Sequence, residues 1–191
     1  DGVGTIVTSP DMAELRDIYG LRTKAAELIG QMSPRAVAAE DITTIKRLID
    51  RARRIVEAFD IAEYWQINHA MHEMIATLIG SDALRDLWDR LYYRAARVWY
   101  ARARDYPDNV AEDLLVELRE LHTALSRGDM LALGYVERNH IAHGLRRLDK
   151  LPPFQRQRLP ADDPSHVQPG DRPDRDEDQN DVPLEHGQQQ D

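Results

Sequence analysis

Between Asp11 and about Leu148 apolar residues recur three and four positions apart, the repeat that lines one face of an α-helix. The first run, about 11–32, carries Met12, Leu15, Ile18, Tyr19, Ala26 and Ile29, with Arg22 on the same stripe. A second, about 39–58, shows Ile42, Ile45, Leu48, Ile49, Ala52, Ile55 and Val56. Asp60 is placed to cap a third, which has Ile61, Tyr64, Trp65, Met71, Ile75 and Leu78 and stops at Ile79-Gly80. Ser81 or Asp82 opens a fourth, with Leu84, Leu87, Trp88, Leu91, Ala95, Val98 and Trp99 inside, and Asp105-Tyr106-Pro107-Asp108 breaks the chain. A fifth, about 109–127, turns Leu114, Leu115, Leu118, Leu121, His122 and Leu125 inward. Past Gly128-Asp129 a sixth reaches about Leu148 through Leu133, Val136, His140, Ile141 and Leu145. Long amphipathic helices on short links predict an all-α fold, an antiparallel bundle of six or seven helices.

The ends read differently. Asp1-Gly2-Val3-Gly4-Thr5-Ile6-Val7-Thr8-Ser9-Pro10 is a short β-branched strand between glycines and a proline, with no later strand to pair with. We read residues 1–9 as the end of another domain and 10–150 as the helical domain. From 151 to 191 prolines sit among Asp, Gln and Arg with few apolar side chains, a composition expected to stay disordered. That tail holds 4 Arg against 10 Asp plus Glu, so most of the net charge of −9 belongs to it. The balance argues against nucleic-acid binding by electrostatics. Cysteine is absent, which removes disulfides, thiolate metal sites and cysteine nucleophiles and suits the cytoplasm. No apolar run approaches the ~20 residues of a membrane span.

Candidate chemistry comes from polar residues on apolar faces. Asn68 and His72 lie four apart, one turn, inside the stripe of the third helix. Buried polar groups without partners cost about 1–3 kcal/mol each. Arg22 cannot shed its charge, so inside a bundle it needs an anion, a neighbouring carboxylate or an outward path for its head. His140 shares the inner face of the last helix, and histidines from separate helices can build a metal site in a bundle. His72, His140 and Asn68 are a thin set, because zinc wants at least three good protein ligands and an amide is a poor one. His122 is a spare candidate on the fifth helix. His69 and His143 have polar stripe neighbours, Glu73 and Arg147, and read as surface residues. His166 and His186 belong to the tail. No phosphate loop, HExxH or Gly-x-Ser-x-Gly is present, so the chain is not expected to be an enzyme.

Several short motifs, in order, resemble one known family. Leu21-Arg22, Asn68-His69-Ala70-Met71-His72, Ile79-Gly80-Ser81-Asp82-Ala83-Leu84, Ser126-Arg127-Gly128-Asp129 and His140-Ile141 are similar to the pattern of the FCD domain. That domain is the ligand-binding part of the FadR subfamily of GntR-type transcriptional regulators. Asp1 to Val7 resembles the wing closing that family's winged helix-turn-helix domain. The resemblance implies a helical sensor, usually a homodimer, that binds a small organic acid and alters DNA contact by a separate N-terminal domain. It also implies a divalent, zinc-like metal held by one aspartate and three histidines. Here Asn68 replaces the aspartate and Leu118 stands at one histidine position, leaving His72 and His140, so metal is expected to be weak or absent. Arg22, Asn68, His72 and His140 are then expected to hold a carboxylate ligand directly. A metal-dependent helical enzyme and a ligand-free dimerisation module are the alternatives.

Overall fold

The structure, a computed structural model, describes residues 12–102 and 109–150. They form six helices: α1 Met12–Leu28, α2 Ala39–Glu57, α3 Ile61–Leu78, α4 Asp82–Arg102, α5 Val110–Ser126 and α6 Met130–Leu148. No strand occurs among the described residues. The expected N-terminal strand, the break at 105–108 and the expected disordered tail lie outside them. None of the helices is long and apolar enough to cross a membrane.

The helix ends follow local chemistry. Asp60 caps α3 by accepting from the amides of Ala62 and Glu63, and Asp129 caps α6 by accepting from Ala132 N–H. Gly128 takes φ +66°, the left-handed turn between α5 and α6 that a side chain would oppose. α1 stops near Leu28, earlier than its apolar repeat suggests. Gly30 has poor helix propensity, and Pro34 keeps Ser33 out of the helical region, so the chain turns there with Ser33 at φ 50°. Arg35 fastens this linker. Its guanidinium forks onto Asp41 at 2.8 and 3.0 Å and donates to Thr77 O, while its amide donates to Leu78 O.

α1 packs on α6 and α4, α2 on α5 and α3, α5 on α6, and α3 on α4. Short links between packed neighbours make α2/α3 and α5/α6 antiparallel pairs. Leu15, Ile45, Ile67, Ile75, Leu118 and Leu133 are wholly excluded from solvent, each worth about 1.5–3 kcal/mol of burial. Met12, Val56 and Ile61, on the expected stripes, are exposed, and each sits in the first or last turn of its helix. α1 and α6 cross at closest range where Gly134 meets Ala26. A methyl there would lie 2.5 Å from the Ala26 carbonyl oxygen. That crossing sets α1 beside α6 and brings Tyr19 and Arg22 toward the last three turns of α6.

Candidate functional site

Side chains from five helices line one cavity that opens to solvent. α1 contributes Tyr19 and Arg22. α3 contributes Tyr64, Trp65, Asn68, Met71, His72 and Ile75. α4 contributes Trp88, Tyr92, Ala96 and Trp99, α5 contributes Glu117, and α6 contributes Glu137, His140, Ile141, Gly144 and Arg147. The helical repeat explains the grouping, since 64, 68, 72 and 75 share a face of α3, as do 137, 140, 144 and 147 on α6. All four residues singled out as ligand contacts, Arg22, Asn68, His72 and His140, line this one cavity.

Arg22 neither snorkels nor finds a carboxylate. Its guanidinium carbon sits 5.3 Å from the Tyr19 ring centre and 5.8 Å from that of Tyr92. No hydrogen bond or ion pair joins it to the described residues, which leaves its five N–H donors without an acceptor among them. Cation–π attraction to the two rings holds the group without consuming its N–H donors.

His72 is 3% exposed on its side chain and lies parallel to Tyr92, ring centres 3.8 Å apart, with Trp88 at 5.6 Å. Its Nε2–H donates to Asp89 Oδ1 at 2.7 Å, and its Nδ1 is buried without a partner. Burial pushes its pKa down to about 4 despite the stabilising Asp89 carboxylate, so the ring is neutral at physiological pH. Asn68 donates from Nδ2 to Tyr64 O at 2.8 Å, one turn back on α3. His140 pairs through Nε2 with Glu120 Oε2 at 2.8 Å.

These residues do not fit a divalent metal. Position 68 offers only an amide oxygen, a poor ligand, and Leu118 is a fully buried hydrocarbon outside the cavity lining, which leaves two imidazoles where zinc wants at least three good ligands. Among the described residues no cluster of three His, Cys, Asp or Glu side chains could hold an ion. His122 contacts Ser126 Oγ at 3.4 Å and does not line the cavity. His143 is exposed, and His69 sits at the rim of α3 with Glu73 at 3.3 Å and Tyr92 beside its ring. The tail histidines lie outside the described residues.

Three charged cavity residues were not anticipated: Glu117, Glu137 and Arg147. Arg147, read from sequence as marking a surface face, is instead turned inward and paired with Asp113 of α5. Its stem packs along the α6 face that His140 and Gly144 share, which a charge-based reading of the helix assigns to solvent. Glu137 is 2% exposed, and its Oε1 has no hydrogen-bond partner among the described residues. Burial raises its pKa to about 7, opposed by the Arg22 charge. Glu117 is pushed in the same direction, first by burial and then by Glu137, against Arg22 and Arg147. The signal was present in the spacing, because 133, 137 and 141 step by four along α6.

A family model described as FCD domain matches residues 8–143. No curated protein matches the chain.

Proposed function

The chain belongs to the FCD domain family, the effector-binding domains of GntR-type transcriptional regulators, and from that premise we propose that its cavity receives a small organic acid whose carboxylate is clamped by Arg22. The carrying observation is the guanidinium itself, lying against Tyr19 and Tyr92 on the cavity wall with no hydrogen bond or ion pair to a described residue. Bidentate Arg–carboxylate pairing supplies about 1.5–3 kcal/mol per charge-assisted hydrogen bond in a site shielded from water. Asn68, His72 and His140 lie on the same cavity and supply polar contacts for the rest of the molecule.

In this reading the protein is a regulator of the FadR type that works as a homodimer in the cytoplasm. DNA contact is assigned to a separate domain, since a net charge of −9 offers no electrostatic footprint for phosphate. Effector binding acts on DNA by favouring one arrangement of the helices that carry the cavity walls. A ligand-free dimerisation module is disfavoured, because it calls for a filled interior and an internally paired Arg22. A metal-dependent enzyme is disfavoured because, among the described residues, no three His, Cys, Asp or Glu side chains are grouped to hold an ion.

The test is thermal unfolding against a panel of two- to six-carbon carboxylates, each with and without zinc. A binder at about 100 times its Kd stabilises the fold by about 2.7 kcal/mol. Arg22→Ala should lower affinity at least about tenfold, and zinc should add nothing. No binder in the panel, or a binder indifferent to Arg22→Ala, refutes the proposal.

A further inference from the structure

The anion receptor just described leaves half of the cavity's charges unexplained. On the same cavity lie Glu137 and Glu117, carried on different helices, α6 and α5, and near enough for the Arg22 charge to act on both; Glu137 Oε1 is buried with no hydrogen-bond partner among the described residues. A buried carboxyl is costly without a partner, and an ionised one far more so. Six aromatic rings, Tyr19, Tyr64, Trp65, Trp88, Tyr92 and Trp99, line the same space. Ring faces attract cations, most strongly where water is excluded. An ordinary carboxylate would satisfy Arg22 but add negative charge beside two acidic groups, which could then only stay protonated.

We propose that the effector is a zwitterion, its carboxylate on Arg22 and its ammonium group among the aromatic rings against Glu137 and Glu117. This rests on the anion-receptor reading and names the class of acid it receives. With such an occupant guanidinium meets carboxylate and ammonium meets Glu137, leaving Glu117 as the one carboxyl that stays protonated. The carboxyls that repel a plain anion become the contacts that select an amino acid from its deaminated counterpart. Rejection of a ligand lacking a group the site is built to bond is typically stronger than rejection of one a methylene too long. Primary and N-methylated ammonium groups share the chemistry, and the probes separate them.

The experiment is calorimetric titration of the full chain with matched probes: 4-aminobutyrate, its N-trimethyl analogue, butyrate and butylamine, then the shorter amino acids β-alanine and glycine. At least one zwitterion should bind about tenfold or more tightly than the carboxylate of equal length. Glu137→Gln should erase most of that preference, weakening the zwitterion and strengthening the plain carboxylate. The comparison of probes on the unsubstituted chain stands even if the variant folds poorly. If carboxylates bind in an Arg22-dependent way and an added ammonium group weakens them, the zwitterion inference falls and the anion receptor stands. If butylamine binds as tightly as the zwitterions and Arg22→Ala changes nothing, or if no probe binds, both fall.

Discussion

Replacing Glu137 by Gln should make the protein more stable, and only above mildly acidic pH. In the folded state burial lifts this carboxyl from 4.5 to about 7, against the pull of Arg22. Below about pH 4.5 it is protonated whether the chain is folded or not, so it carries no penalty. Between there and about pH 7 the unfolded chain releases a proton that the folded protein retains, and stability falls as pH rises. Above that window the loss is constant. At roughly 1.4 kcal/mol per pH unit the full loss is about 3 kcal/mol. Glutamine has nearly the same shape and no proton to lose, so the variant should match the parent at about pH 4.5 and exceed it by about 3 kcal/mol at about pH 8. For a domain of this size that is roughly 6–12 °C in Tm. Thermal and urea unfolding of both proteins across the window measures it. The difference between them cancels titrations that Glu137 does not touch, including that of His72, whose buried neutral ring costs stability as pH drops below 6.5 toward about 4; Glu117, which Glu137 pushes up, shifts with the substitution in the same stabilising direction. An offset that does not change with pH, or a Gln variant weaker at pH 8 than at pH 4.5, would mean that Glu137 is ionised against Arg22, and the account of its burial would be wrong.

Other consequences follow from the packing. Leu118→His restores a histidine at a position where the FCD pattern has one, yet Leu118 is fully buried away from the cavity lining. It should lower stability by about 2 kcal/mol or more and bind no zinc, so stoichiometric zinc with a raised Tm would contradict the geometry. Gly134→Ala should cost roughly 1–3 kcal/mol by prising α6 from the Ala26 carbonyl, read as a lower urea midpoint with the m-value kept. Asp41→Asn should remove a carboxylate held below its usual range, mainly by Arg35, and so destabilise at neutral pH by about 1 kcal/mol. That difference should vanish as the parent's own Asp41 protonates in acid, and equal destabilisation at both extremes would count against an ionic role.

The helices were legible because period, caps and punctuation agreed: Asp60, Gly80, Gly128 and Asp129 mark ends that the folded chain uses within a residue or two. The inward direction of Arg22, Asn68, His72 and His140 was legible for the same reason, being a property of spacing. What spacing does not carry is which neighbour each group meets. Nothing local to Arg22 says that Tyr92, 70 positions away, lies over it. The Glu120 and Asp89 partners of the two histidines are likewise across helix interfaces. Glu117, Glu137 and Arg147 were missed by a different route. A charged residue on an apolar face is usually assigned to solvent, and only the cavity between helices makes an inward carboxyl tolerable.

The contact between His72 and Asp89 reaches beyond the pair. With the Nε2 hydrogen aimed at the carboxylate and the ring uncharged, the other nitrogen has only a lone pair to offer. That edge of the chamber therefore welcomes a hydroxyl or an N–H and turns away any oxygen rich in electrons. A guest is thus oriented as well as held, because its acidic end has one acceptable direction to point.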